Sequence, residues 1–149
     1  MPSVEESIDI PAPVDRVFPV ITDPRRSLEW SSSIASVRDI SDDPVHEGST
    51  WRQTAMVVGR EVEMTCTITT WEPPNRGILA ITGDQRGQVT TICRPDGDGT
   101  RVTQVLDYEV PHGIAGGVFN LVAGNLLHRE LSQSLGRMRD AMVREMTGS

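Results

Sequence analysis

The stretch GIAGGVFNLVAGNLLHRELSQSLGRMRDAMVREM, residues 113–146, decides how the rest of the chain is read. Placed on a helix at about 100° per residue, one face collects Gly117, Asn120, Gly124, Leu127, His128, Leu131, Leu135, Met138, Met142 and Met146. From Arg129 onward the opposite side holds Arg129, Gln133, Arg137, Asp140 and Arg144. Such an amphipathic helix would run about 50 Å at about 1.5 Å per residue. It cannot bury its stripe alone, so the remainder of the chain must supply an apolar surface to receive it.

Working outward, the segments before this helix read as strands. Val102, Gln104, Leu106, Tyr108 and Val110 share one face of a run that Pro111, His112 and Gly113 end. Ahead of it, Asp96-Gly97-Asp98-Gly99 is a strong hairpin signal. In the run Glu61 to Trp71, Val62, Met64, Cys66 and Ile68 face one way, and Glu61, Glu63 and three threonines face the other. Shorter strands are expected at 34–40, 50–58, 78–82 and 88–94; the inward face of the last two is not decided by pattern. Arg52 is a candidate partner for Glu61 or Glu63 across the turn at Gly59-Arg60. Residues 3–10 end in the alternation Ile8, Asp9, Ile10 and form a first strand. Between it and Ser31, Asp15 opens one short helix and Pro24 to Trp30 forms a second. With no helix-length segment between the six later strands, hairpins should join them antiparallel. The expected fold is α+β, a seven-stranded curved antiparallel sheet holding a long terminal helix, as a single domain over 1–149.

The totals set limits. A chain of 149 residues can bury roughly 70% of its unfolded surface without a metal or disulfide. Its net charge of −7, with Arg25-Arg26 as the densest basic cluster, argues against a nucleic-acid partner. Cys66 and Cys93 lie in strand-like runs, and the acidic start Met-Pro-Ser-Val-Glu-Glu has no apolar core. These features point to a cytoplasmic protein with two reduced, buried thiols. The apolar stretch 114–127 is too short to span a membrane. His46 and His112 fall in loops, and no Cys-x-x-Cys or His-Glu-x-x-His appears, so no metal or cofactor is expected.

Individual segments sharpen the picture. Val4 to Phe18, Thr22-Asp23-Pro24 with Trp30, Gly48-Ser49-Thr50-Trp51, residues 70–76 and Gly99-Thr100-Arg101-Val102-Thr103 together resemble the START-like, Bet v 1-like superfamily. The likeness is strongest to its bacterial polyketide cyclase/dehydrase-type members and covers essentially the whole chain. The resemblance implies a helix-grip fold with an elongated apolar cavity between sheet and helix. It leaves function open, because that superfamily includes lipid carriers, hormone sensors and polyketide aromatases.

From the residues, the void should lie under the front of the helix, where Gly117 and Gly124 add no volume, with Leu131 to Met146 packed solidly. The expected ligand-binding set is Trp51, Met64, Trp71, Gln104, Leu106, Tyr108, Asn120, Gly124, Leu127 and His128. Three indoles in a chain with six aromatics suit the wall of an apolar pocket. His128 and Tyr108 are the candidates for chemistry, one as a proton carrier near neutral pH and the other as a donor to a carbonyl. Against this, His128 at the edge of the stripe is also placed to hydrogen-bond a strand. Glu61 and Glu63, on the threonine-rich face, suit a solvated surface. The favoured function is binding of a small hydrophobic molecule, lipid- or polyketide-like, as a carrier or sensor. The alternatives are a cofactor-free aromatase/cyclase or dehydratase using His128, Tyr108 and Asn120, and a client- or chaperone-interacting module. Val118, Phe119 and Val122 point away from the inward face, as a homodimer contact, a membrane-touching lid or a surface beneath the short helices.

Overall fold

The computed structural model describes residues 2–57, 59–109 and 116–147, with side chains at all of these except 57 and 116–123. Seven strands form one antiparallel sheet: β1 (Ser3–Ile10), β2 (Ile34–Arg38), β3 (Thr50–Val57), β4 (Arg60–Glu72), β5 (Arg76–Gly83), β6 (Gly87–Asp96) and β7 (Gly99–Tyr108). Their order is β1-β7-β6-β5-β4-β3-β2. Strands β2 to β7 therefore follow one another as hairpins, and the chain crosses from one edge to the other only once. That crossing carries α1 (Val14–Ile21), a single 3₁₀ turn at Pro24–Arg26 and α2 (Ser27–Trp30). The terminal helix α3 (Gly116–Met146) lies in the concavity. This is the helix-grip arrangement expected from the sequence.

Local chemistry explains the elements. In β4, Val62, Met64, Cys66 and Ile68 are buried while their alternate neighbours are not, the period-2 signature of a sheet with one dry face. Between β6 and β7 the turn is made at Gly97, whose φ of +60° is open to glycine at little cost. Gly87 allows close strand pairing: a Cβ there would stand 2.2 Å from the Asp107 carbonyl oxygen. Register shifts between Ile34 and Ser36 and between Ile68 and Thr70 mark bulges that add bend to the curling sheet. The faces of β5 and β6 that pattern left undecided are now assigned. Leu79 and Ile81 face inward on β5, and Val89, Thr91 and Cys93 do so on β6.

The densest core joins α1, the sheet and the rear half of α3. Phe18, Val17, Ile10, Cys93, Val102, Leu135, Met138 and Met142 are essentially inaccessible there. A second cluster, Val45, Trp51, Cys66 and Ile68, fills the β3–β4 side. Trp71 touches both, its ring 4.9 Å from that of Phe18. The inward stripe of α3 is rotated from the expected one. Leu127, Leu131, Ser134, Leu135, Met138, Ala141 and Met142 face in, whereas His128 and Met146 are exposed. On the outer face, Glu63 pairs with Arg38 and accepts from Thr54, so Arg38 of β2 takes the place expected for Arg52. Among the described residues no helix is long and apolar enough to cross a membrane.

Polar seams hold α3 along both flanks. Towards β1, His128 Nε2 lies 3.1 Å from Glu6 Oε2, and Arg139 donates to the Asp9 carbonyl. Towards α2, Glu130 accepts from Ser32 N and Oγ at 2.9 and 2.6 Å, and Arg137 donates to the Trp30 carbonyl. Near its end, Glu145 and Glu29 share the Arg26 guanidinium, which also lies over the Trp30 ring. Arg26 holds both carboxyls below the usual carboxylate range. A carboxyl depressed on folding stabilises above its ordinary value, about 4.5, and that contribution fades as pH falls through the folded value. The double variant Glu29→Gln/Glu145→Gln should therefore melt below wild type at pH 7. The gap should narrow as pH falls below the ordinary carboxylate value and close once both carboxyls are protonated in the folded state, as followed by thermal denaturation across pH.

Candidate functional site

Between the sheet and the middle of α3 lies a cavity of about 290 Å³. This is close to the small end of ligand sites, which run about 300–1,000 Å³. Its walls follow directly from strand alternation. From β3 come Trp51, Gln53 and Ala55; from β4, Met64, Ile68 and Trp71; from β5, Leu79 and Ile81; from β6, Val89 and Thr91; from β7, Gln104, Leu106 and Tyr108. Leu127, Leu131, Ser134 and Met138 of α3 close it, spaced as one helix face. Ile21 and Trp30 seal the end beneath the short helices, with Ser31 and Ser33 beside them. Small side chains at Ala55, Thr91 and Ser134 stand where larger ones would fill the space.

Polar groups are few and mostly committed. The Trp51 indole N–H donates to Gln53 Oε1 at 3.2 Å, two residues along the same strand face. Gln104 Nε2 donates to the Thr91 hydroxyl at 3.2 Å across β6 and β7. Tyr108 is 6% exposed, and its hydroxyl oxygen would stand 3.4 Å from a Cβ placed at Gly124. The two carboxylates on the lining, Asp23 and Glu109, sit at its margins beside Arg25 and Arg86.

Of the residues expected at a ligand site, Trp51, Met64, Trp71, Gln104, Leu106, Tyr108 and Leu127 are brought to this cavity. Gly124 sits just above the Tyr108 hydroxyl. His128 is not brought there. Its side chain is 54% exposed and turned to Glu6 at the β1 seam, so it and Tyr108 do not face a common space. The side chains of Asn120, Val118, Phe119 and Val122, and the whole of His112, fall outside the described residues. The space also extends further back than expected. Leu131, Ser134 and Met138 line it, and solid packing begins with Leu135, Ala141 and Met142. Gln53, Ala55, Val89, Thr91 and Ser134 were not anticipated, although alternation from Trp51 along β3 leads to Gln53 and Ala55; Trp30, offered with the other two indoles as pocket wall, lines the cavity.

Among the described residues, no group of three or more His, Cys, Asp or Glu side chains could hold a metal ion. Cys66 and Cys93 are free and fully buried, and burial pushes both thiols up to about 12. Neither lines the cavity. What the arrangement can do chemically is bury an apolar body and donate hydrogen bonds to it from Tyr108 and Gln53.

Residues 1–143 match the family described as polyketide cyclase / dehydrase and lipid transport. The chain belongs to that family. Solved structures agree on the fold. TTHA0849 from Thermus thermophilus is 24% identical, with a TM-score of 0.82 over 97% of this chain and 99% of that one. The Zhui aromatase/cyclase from Streptomyces sp. R1128 is 16% identical, with a TM-score of 0.75 over 97% and 95%. A START superfamily protein from Mycobacterium smegmatis is 18% identical, with a TM-score of 0.74 over 93% and 98%. No curated protein matches the chain. Family and fold together support a ligand-binding or polyketide cyclase/dehydrase role.

The thiols give a direct check on the packing of this region. In the native protein at pH 8, Cys66 and Cys93 should react with Ellman's reagent far more slowly than a free thiol, and both should react at once in denaturant.

Proposed function

We propose that this chain takes a small hydrophobic molecule into the cavity beneath α3, as a carrier or sensor. The observation that carries this reading is the composition of the cavity wall. Trp30, Trp51 and Trp71 line it with Met, Leu, Ile and Val side chains, and among the described lining residues there is no His, Cys, Lys or Arg. An apolar body gains about 25 cal/mol for each Å² it removes from water there. General acid–base turnover, by contrast, needs a group that exchanges a proton near neutral pH within reach of the substrate. The imidazole of His128 on α3 faces Glu6 and not the cavity.

A second reading keeps the cyclase/dehydrase alternative. The Tyr108 hydroxyl and the Gln53 amide reach the cavity wall, and donors so placed could polarise a substrate carbonyl. The aromatase/cyclase activity in the name of one structural neighbour belongs to that protein; for this chain it supplies a substrate class to try.

Native mass spectrometry of the chain purified from its own host should show a co-purifying hydrophobic adduct. Titration with the neutral dye N-phenyl-1-naphthylamine should quench tryptophan fluorescence. Ser134→Phe, which fills the space from the helix side, should weaken dye binding by about tenfold or more with circular dichroism unchanged. His128→Ala should leave it within about twofold, because that ring lies on the outer seam. A bare mass combined with no quenching would overturn the binding reading. Turnover of a poly-β-ketone chain that Tyr108→Phe abolishes, with affinity kept, would favour the enzyme.

A further inference from the structure

The charge pattern of the cavity goes beyond its greasiness. Among the described residues its lining contains no cation, and its two anions are the marginal Asp23 and Glu109. The chain has no lysine at all; its 14 basic residues are arginines. The segment 110–123, which leads into α3, contains neither Lys nor Arg, and its one titratable residue is His112. A ligand carrying a carboxylate or phosphate would therefore meet no counter-charge among the described lining residues, and burying an unpaired ion is far costlier than burying a neutral polar group.

Hydrogen-bond inventory narrows the choice further. An indole nitrogen can only donate, so the Trp51–Gln53 bond fixes Gln53 Oε1 as the acceptor. That leaves the Gln53 amide N–H groups as donors, and the Tyr108 phenol adds a second donor to the same lining from the far strand β7. With the Thr91 and Ser134 hydroxyls on the same lining, the polar atoms offered inside the margins are neutral donors and acceptors, which suit an uncharged body with few polar atoms of its own.

We infer that the cavity selects an uncharged ligand, a neutral carbonyl compound for example, and discriminates against the corresponding carboxylate. The inference rests on the cavity-binding reading above. It excludes free fatty acids and acyl phosphates as preferred cargo and accepts neutral, carbonyl-bearing ring systems or chains.

A matched pair of probes tests it: 2-acetonaphthone, neutral, and 2-naphthoate, anionic at pH 7.5, titrated into the full chain by tryptophan quenching and calorimetry. The ketone should bind at least about tenfold more tightly than the carboxylate. Tyr108→Phe and Gln53→Leu should each weaken the ketone by about fivefold, the loss of one hydrogen bond. Leu127→Arg, which brings a cation to the half-buried edge of the lining, should narrow the gap by strengthening naphthoate binding. Equal or tighter binding of naphthoate to the wild-type chain would overturn the inference while leaving the binding reading intact. If neither probe nor the neutral dye binds, the binding reading itself falls.

Discussion

Everything in this molecule depends on how α3 is attached. A curled sheet has two free edges, here β1 and β2, and polar seams tie the helix to β1 on one flank and to α2 and the turn leading into β2 on the other. Glu6 and the Asp9 carbonyl hold one flank; Ser32, the Trp30 carbonyl and Arg26 hold the other. Each seam is exposed or half-buried, so no single ion pair contributes much. Their joint effect is geometric. They fix the rotation and height of the helix, while the apolar anchor at Leu135, Met138 and Met142 supplies most of the stabilisation.

A helix held in this way cannot settle further into the sheet. Its rear half packs with Phe18, Val17 and Val102 into one buried apolar cluster. Ahead of that, the wall is built from side chains too short to meet across the gap, such as Ala55, Thr91 and Ser134. The space persists because the backbone around it is over-determined by hairpins on one side and seams on the other. Empty apolar volume forfeits dispersion contacts, so an occupant that restores them also stabilises the fold by mass action. Stability and occupancy are thus linked through the same side chains.

Much of this could be read before any coordinates. Strand alternation assigned the inward face of β4 and β7, and the absence of helical segments between the later strands dictated hairpins. Trp51, Met64, Gln104, Leu106, Tyr108 and Leu127 were placed by the same periodicity, and they do line the cavity. What resisted was the phase of α3. A helical wheel locates a stripe only to within a residue or so, and His128 stands at its border with Glu6 as the deciding partner. That partner is 122 positions away in the chain, and no local pattern encodes it. Ser134 was missed for the converse reason: it stands at the other border of the stripe, beside Leu127, and a hydroxyl there gives no apolar signal. Likewise Arg38 rather than Arg52 reaches Glu63, because the choice depends on where β2 docks beside β3.

The same seams explain the chemistry inside. Arg26, Arg137 and Arg139 are committed to carboxylates and carbonyls that orient α3, and Arg38, Arg76 and Arg101 to ion pairs on the outer surface. Guanidinium groups suit this task because their planar forks satisfy several acceptors at once without needing burial. Charge is therefore concentrated at the rim of the fold, and among the described residues the cavity lining holds no cation, its two carboxylates Asp23 and Glu109 sitting at the margins. That separation follows from the architecture. A cation facing the gap would need a counter-ion in an apolar wall, and none of the strands offers one. The lack of a cation among the described lining residues is the inner counterpart of the way the helix is fastened on the outside.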